Sequence, residues 1–78
     1  MAKKSRSDIR ERFGDAVRSR REELGLTQEE LAGRARVHRT YLSDIERGTR
    51  NVSLVNVERL AAALSLSLPE LFHRLPKA

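Results

Sequence analysis

Cysteine and tryptophan are both absent from the 78 residues. Without cysteine there is no disulfide framework and no thiolate zinc site, which fits a reducing cytoplasm. Aromatic residues make up 4% of the chain, namely Phe13, Tyr41 and Phe72, so a core has to be assembled from Leu, Val, Ile and Ala. Histidine occurs only at positions 38 and 73. Two isolated histidines and three aspartates assemble neither a metal cluster nor a nucleophile–base pair, so no enzyme, metal site or cofactor is expected. No apolar run approaches the length of a membrane span. The basic start, Met1-Ala-Lys-Lys-Ser-Arg-Ser7, is not followed by an apolar signal segment.

What the chain does contain is charge, 35% of its residues, with a net +5 from 16 basic and 11 acidic side chains. Lys3, Lys4 and Lys77 are the only lysines, so arginine supplies the other 13 cations. Arginine forks onto phosphate and guanine better than lysine does, which points to a nucleic-acid partner. Between positions 34 and 50 there are five arginines, Arg34, Arg36, Arg39, Arg47 and Arg50, against Asp44 and Glu46.

The length allows one domain, with a thin stability margin. Residues 1–7 read as a flexible basic arm and residues 8–75 as the folded domain. Helical spacing and cap residues divide that domain into five helices, with no strand pattern. The first starts near Ser7 or Asp8 and buries Ile9, Phe13, Ala16, Val17 and Leu24. Gly14 inside it costs about 1 kcal/mol relative to Ala and marks a close helix contact, and Gly25 terminates it. Thr27 and Glu30 form a capping box for the second helix, which ends around Ala35. The third runs from Arg39 to about Arg47 and stops at Gly48. Ser53 caps the fourth, whose apolar positions are Leu54, Val57, Leu60, Ala61 and Leu64. Ser67 and Glu70 box the fifth, with Pro69 in its first turn.

The segments Leu24-Gly25-Leu26-Thr27-Gln28, Glu30-Leu31-Ala32 and Ile45-Glu46-Arg47-Gly48 together resemble the helix-turn-helix domain of the lambda-repressor/Cro type, the XRE family. The likeness spans roughly Phe13 to Leu75. The run Arg39-Thr40-Tyr41-Leu42-Ser43-Asp44-Ile45-Glu46-Arg47-Gly48, followed by Arg50-Asn51, is most similar to the controller proteins of restriction-modification systems. The resemblance implies an all-α, five-helix lambda-repressor-like domain with helices 2 and 3 as the helix-turn-helix. It also implies a structural salt bridge between Arg21 and Glu46. Two family positions differ around the turn: Arg36 replaces a glycine, and His38 replaces a short polar cap. Ser65 stands where the family usually has glycine.

The third helix carries the expected base contacts, because the N-terminal part of such a helix enters the major groove. Arg39 suits bidentate contact with guanine, Thr40 can place its methyl on thymine, and Ser43 is a short donor or acceptor. Asp44 shares that face with two readings: accepting from a cytosine amine, or holding Arg39 or Arg47 in place. The second is favoured, since a carboxylate near phosphates is costly unless paired. Phosphate contacts are assigned to Gln28, at the positive end of helix 2, and to His38, Arg47, Thr49, Arg50 and Asn51. Tyr41 either covers the core edge or reaches a phosphate, and the resemblance favours the phosphate.

The last third holds more apolar surface than so small a monomer can bury. Val52, Val55, Leu66, Leu68 and Phe72 are therefore assigned to a homodimer interface, which sets two recognition helices about 34 Å apart on a near-palindromic operator. The function that follows is sequence-specific regulation of transcription from double-stranded operator DNA, with RNA polymerase as a further partner. The controller resemblance adds control of its own promoter and of a restriction endonuclease. A cytoplasmic, nucleoid-associated protein of bacterial or phage origin is implied. No small-molecule ligand is expected, since the length leaves no room for a separate sensing domain. The alternative is an antitoxin-type or phage-type repressor acting also through a protein partner.

Overall fold

The computed structural model describes residues 8–78, and the readings that fall on the arm and on Ser7 lie outside them. Five helices follow one another: α1 Ile9–Glu23, α2 Gln28–Ala35, α3 Arg39–Glu46, α4 Leu54–Ala63 and α5 Leu68–His73. Among the described residues there is no strand.

Local chemistry accounts for the starts of these helices. Asp8 caps α1, its carboxylate accepting the Arg10 backbone N–H at 2.9 Å. The Thr27–Glu30 and Ser67–Glu70 boxes are both complete, each side chain accepting the other residue's backbone N–H. Ser53 Oγ accepts from Asn56 N at 3.1 Å and begins α4.

Four helix ends share one closing motif. After α1, α2, α3 and α4 the chain turns left-handed at Gly25, Arg36, Gly48 and Ser65, with φ of 70°, 60°, 78° and 58°. The following N–H reaches back to the helix: Leu26 to Arg21 O, Val37 to Ala32 O, Thr49 to Asp44 O and Leu66 to Ala61 O. These bonds satisfy carbonyls that the helix would otherwise orphan. They also turn Leu26, Val37 and Leu66 onto the core. Arg36 and Ser65 hold a conformation that costs a non-glycine residue roughly 1–2 kcal/mol.

The core lies where all five helices meet. Leu31, Leu42, Ile45, Leu60, Leu64, Leu71 and Val17 are its largest fully buried members. Phe13 of α1 meets Phe72 of α5 with ring centroids 6.3 Å apart. The crossing of α1 over α3 is set by Gly14, where an added Cβ would stand 2.3 Å from the Ile45 carbonyl oxygen.

Three residues assigned to buried stripes are exposed: Ile9, Leu24 and Leu54, the last at 85%. Ile9 and Leu54 open their helices and Leu24 closes one. Helical periodicity continues to the last turn, but at these ends the side chains stay open to solvent.

Candidate nucleic-acid interface

The His38 imidazole, a weak cap by type, nevertheless caps α3: its Nδ1 accepts the Thr40 N–H at 3.0 Å. That leaves Nε2 as the atom available for a phosphate. Leu42, Ile45 and Glu46 form the buried side of α3. At 100° per residue Thr40, Ser43, Asp44 and Arg47 lie away from that side, and Arg39, close in angle to Glu46 but two turns earlier, flanks them from the exposed first turn. Arg39, Thr40 and Arg47 are exposed, while Ser43 and Asp44 are half-buried.

Asp44 holds two arginines. Its Oδ1 accepts from Arg47 Nη2 and its Oδ2 accepts from Arg50 Nε at 3.2 Å. Arg47 also donates through Nη1 to Ser43 Oγ at 2.8 Å. The Arg50 guanidinium lies over the Tyr41 ring, 5.0 Å from its centroid, a cation–π geometry. The Tyr41 hydroxyl in turn accepts from Asn56 Nδ2 at 3.2 Å. A continuous set of side chains thus joins α3, the following loop and the first turn of α4. The geometry matches the holding reading of Asp44, although its second partner is Arg50 rather than Arg39.

Asn56 was not singled out from the sequence. Its signal is the lone polar residue in Leu54-Val55-Asn56-Val57, a side chain that needs a partner once its helix packs.

Two phosphate assignments meet a different geometry. Gln28 was expected to face outward, but its amide donates inward to Glu46 Oε1 at 3.0 Å. The reason is an acceptor left open by the Arg21–Glu46 pair. That leaves only the Gln28 and Glu29 backbone N–H groups at the start of α2 for an anion, since Thr27 Oγ1 already accepts the Glu30 N–H at 3.0 Å. Thr49 directs its hydroxyl to the Asp44 carbonyl oxygen at 3.1 Å, closing the end of α3. Asn51 is exposed and lines an apolar groove of 210 Å³ with Ile9, Phe13, Val52, Val57 and Phe72, beside Arg50.

Behind the outward row stands the Arg21–Glu46 pair, as the resemblance implied. Arg21 Nε meets Glu46 Oε2 at 2.7 Å and Nη2 meets Oε1 at 3.0 Å. Arg21 Nη1 adds a bond to Leu26 O at 2.9 Å. The hydrogen bond to Glu46 raises the Arg21 pKa above its ordinary value, against the opposing effect of burial. Glu46 is the one buried charged residue among those described.

The dimer assignments divide. Val55, Leu68 and Phe72 are exposed, at 57%, 38% and 44%. Val52 and Leu66 are half-buried against the chain's own core, so they offer a partner less than expected. Ile9 and Leu54 add exposed apolar area that sequence reasoning had placed inside. No helix among the described residues is long and apolar enough to cross a membrane.

Residues 17–71 match the family described as Helix-turn-helix. Control protein C.MunI of a Mycoplasma species is 46% identical over 72 residues, covering 91% of this chain and 97% of that protein. Among solved structures, the restriction-modification controller protein C.AhdI from Aeromonas hydrophila superposes with a TM-score of 0.79 at 45% identity, covering 82% of this chain and 97% of that one. The controller protein C.Esp1396I, solved as a tetramer with its natural 35 base-pair operator, gives 0.79 at 32% identity, over 83% and 86% of the two chains. These relatives are transcriptional regulators and not enzymes. With the capped α2–α3 pair and the arginine-rich outward row of α3, they show that the chain belongs to the XRE-type helix-turn-helix family of DNA-binding transcriptional regulators, among the restriction-modification control proteins.

Proposed function

We propose that the protein regulates transcription by occupying a near-palindromic operator as a dimer, controlling its own promoter and that of a restriction endonuclease. The observation that carries this reading is the outward row of α3, with Arg39, Thr40 and Ser43 toward the base edges and Arg47 and Arg50 beside them. Arg39 is the guanine reader, Thr40 and Ser43 supply short contacts, and the arginines grip the backbone on the far side of the groove. His38 Nε2, the Tyr41 hydroxyl, Asn51 and the Gln28 and Glu29 backbone N–H groups complete the phosphate contacts.

Dimerisation buries the exposed apolar residues Val55, Leu68 and Phe72, with Ile9 and Leu54 at the margin. Two α3 helices then lie about one DNA turn apart, roughly 34 Å. The solved C.Esp1396I complex supports an oligomer on an operator. Occupancy is the mechanism: protein concentration sets the filling of the site, and the bound dimer blocks or recruits RNA polymerase on the nucleoid DNA of the cytoplasm.

The test is selection from a random-sequence duplex library near physiological salt, with the mass of the bound species measured in parallel. An inverted repeat carried by two chains is the expected result. Retention that depends on salt but enriches no sequence overturns the reading.

A further inference from the structure

Asp44 places a negative charge on the face that the proposed function turns toward a polyanion. Its side chain is only 17% exposed, whereas those of its partners Arg47 and Arg50 are 61% and 48% exposed. Each of its oxygens holds one arginine. Arg47 is fixed further by Ser43, and Arg50 by the Tyr41 ring, itself held by Asn56. Without DNA, then, the two cations stand in one set geometry. A guanidinium has five N–H donors, and Arg50 uses only Nε toward Asp44, so its remaining donors are available at a preset position.

We propose that Asp44 is a specificity-determining residue that restrains Arg47 and Arg50 and thereby suppresses binding to non-cognate DNA. The proposal rests on the operator-binding reading above. In a cognate complex, Arg39, Thr40 and Ser43 fix one register, and preset arginines meet phosphates without leaving Asp44. Little ordering is then required of them on binding. In non-cognate complexes the helix docks in many registers, and phosphate attraction supplies nearly all of the affinity. There the arginines must leave Asp44 to follow the backbone, and an exposed carboxylate is left beside phosphates. The carboxylate is thus a repulsive element directed at wrong partners.

The experiment compares wild type, Asp44→Asn and Glu58→Gln on the duplex enriched by selection and on a shuffled duplex, across a salt series. Glu58→Gln removes the same charge from an exposed residue of α4. Asp44→Asn is expected to tighten shuffled-duplex binding about 3- to 10-fold and to change enriched-duplex binding less than about 3-fold. Its salt slope on shuffled DNA should steepen by up to about 0.9 per arginine released. Asp44→Ala should lower the specificity ratio in the same way, and thermal melts establish that each variant is folded.

Equal weakening on both duplexes would mean that Asp44 only supports the arginines, and would overturn the proposal. Weakening on the enriched duplex alone would make Asp44 a base contact, which overturns it too. So would an effect no larger than that of Glu58→Gln. A wild type that does not prefer the enriched duplex overturns the operator reading itself, and that result is read without any variant.

Discussion

Arg21 and Glu46, 25 residues apart, form a two-pronged ion pair that the amide of Gln28 completes, so one carboxylate ties α1, α2 and α3 together. Glu46 is 7% exposed, and little water can replace a lost partner. Glu46→Ala strands the Arg21 guanidinium and is expected to destabilise the fold by about 3–5 kcal/mol. Denaturant unfolding checks it. A loss below about 1 kcal/mol would show that the pair is solvated.

Gly14 and Gly33 are both helical, and their alanine variants should differ in sign. A Cβ at Gly14 collides with the Ile45 and Glu46 backbone, which cannot swing aside as a side chain would. Gly14→Ala should cost about 1–3 kcal/mol. At Gly33 an added Cβ meets nothing within 4 Å, and alanine should stabilise α2 by roughly 0.5–1 kcal/mol. Paired thermal melts give the comparison.

Acid stability follows from three exposed carboxylates. Glu23 is held below its ordinary value of 4.5, first by the Arg74 hydrogen bond and then by Arg20. Glu30 and Glu70 are lowered by the backbone N–H and hydroxyl groups of their capping boxes. A carboxylate whose folded pKa is depressed contributes stability that is present above its unfolded pKa and lost as pH falls through its folded one. The melting temperature should therefore be flat down to about 5 and fall below 4.5, and Glu23→Gln should make that fall shallower. A melting temperature that rises on acidification would contradict the assignment.

Arg39 and Arg50 are expected to fail differently. Arg39→Ala should cost about 1–3 kcal/mol on the selected operator and relax one base position. Arg50→Ala should weaken binding to operator and shuffled duplex both, relax no base position, and flatten the salt dependence. Binding titrations on operator and shuffled duplex separate the two. Equal losses on both duplexes for Arg39→Ala would remove it from base reading.

How much of this was legible beforehand depends on the range of the interaction. The Thr27–Glu30 and Ser67–Glu70 boxes act over three residues, and the sequence alone locates them. Gly14 was read correctly as a close contact because no local feature of α1 calls for glycine there. The Arg21–Glu46 pair spans two helices and was available only through family resemblance. Gln28 was turned the wrong way because its acceptor exists only after that pair has formed. The bond from Asn56 to Tyr41 and the grip of Asp44 on Arg50 depend on how the loop after α3 folds back, which no periodicity records. Ile9, Leu24 and Leu54 were misplaced for a simpler reason: a stripe of apolar residues tells which way a helix faces, not where its neighbour ends.

A shared carboxylate at the junction of three helices also bears on how such a protein can diverge. With Glu46 bonded to both Arg21 and Gln28, α3 cannot tilt or slide without breaking bonds to two other helices. On the proposed reading of α3, new operator preferences are reached by exchanging outward side chains on an unmoved axis, one position at a time. Descendants of this chain can change outward side chains while keeping the angle at which α3 is presented.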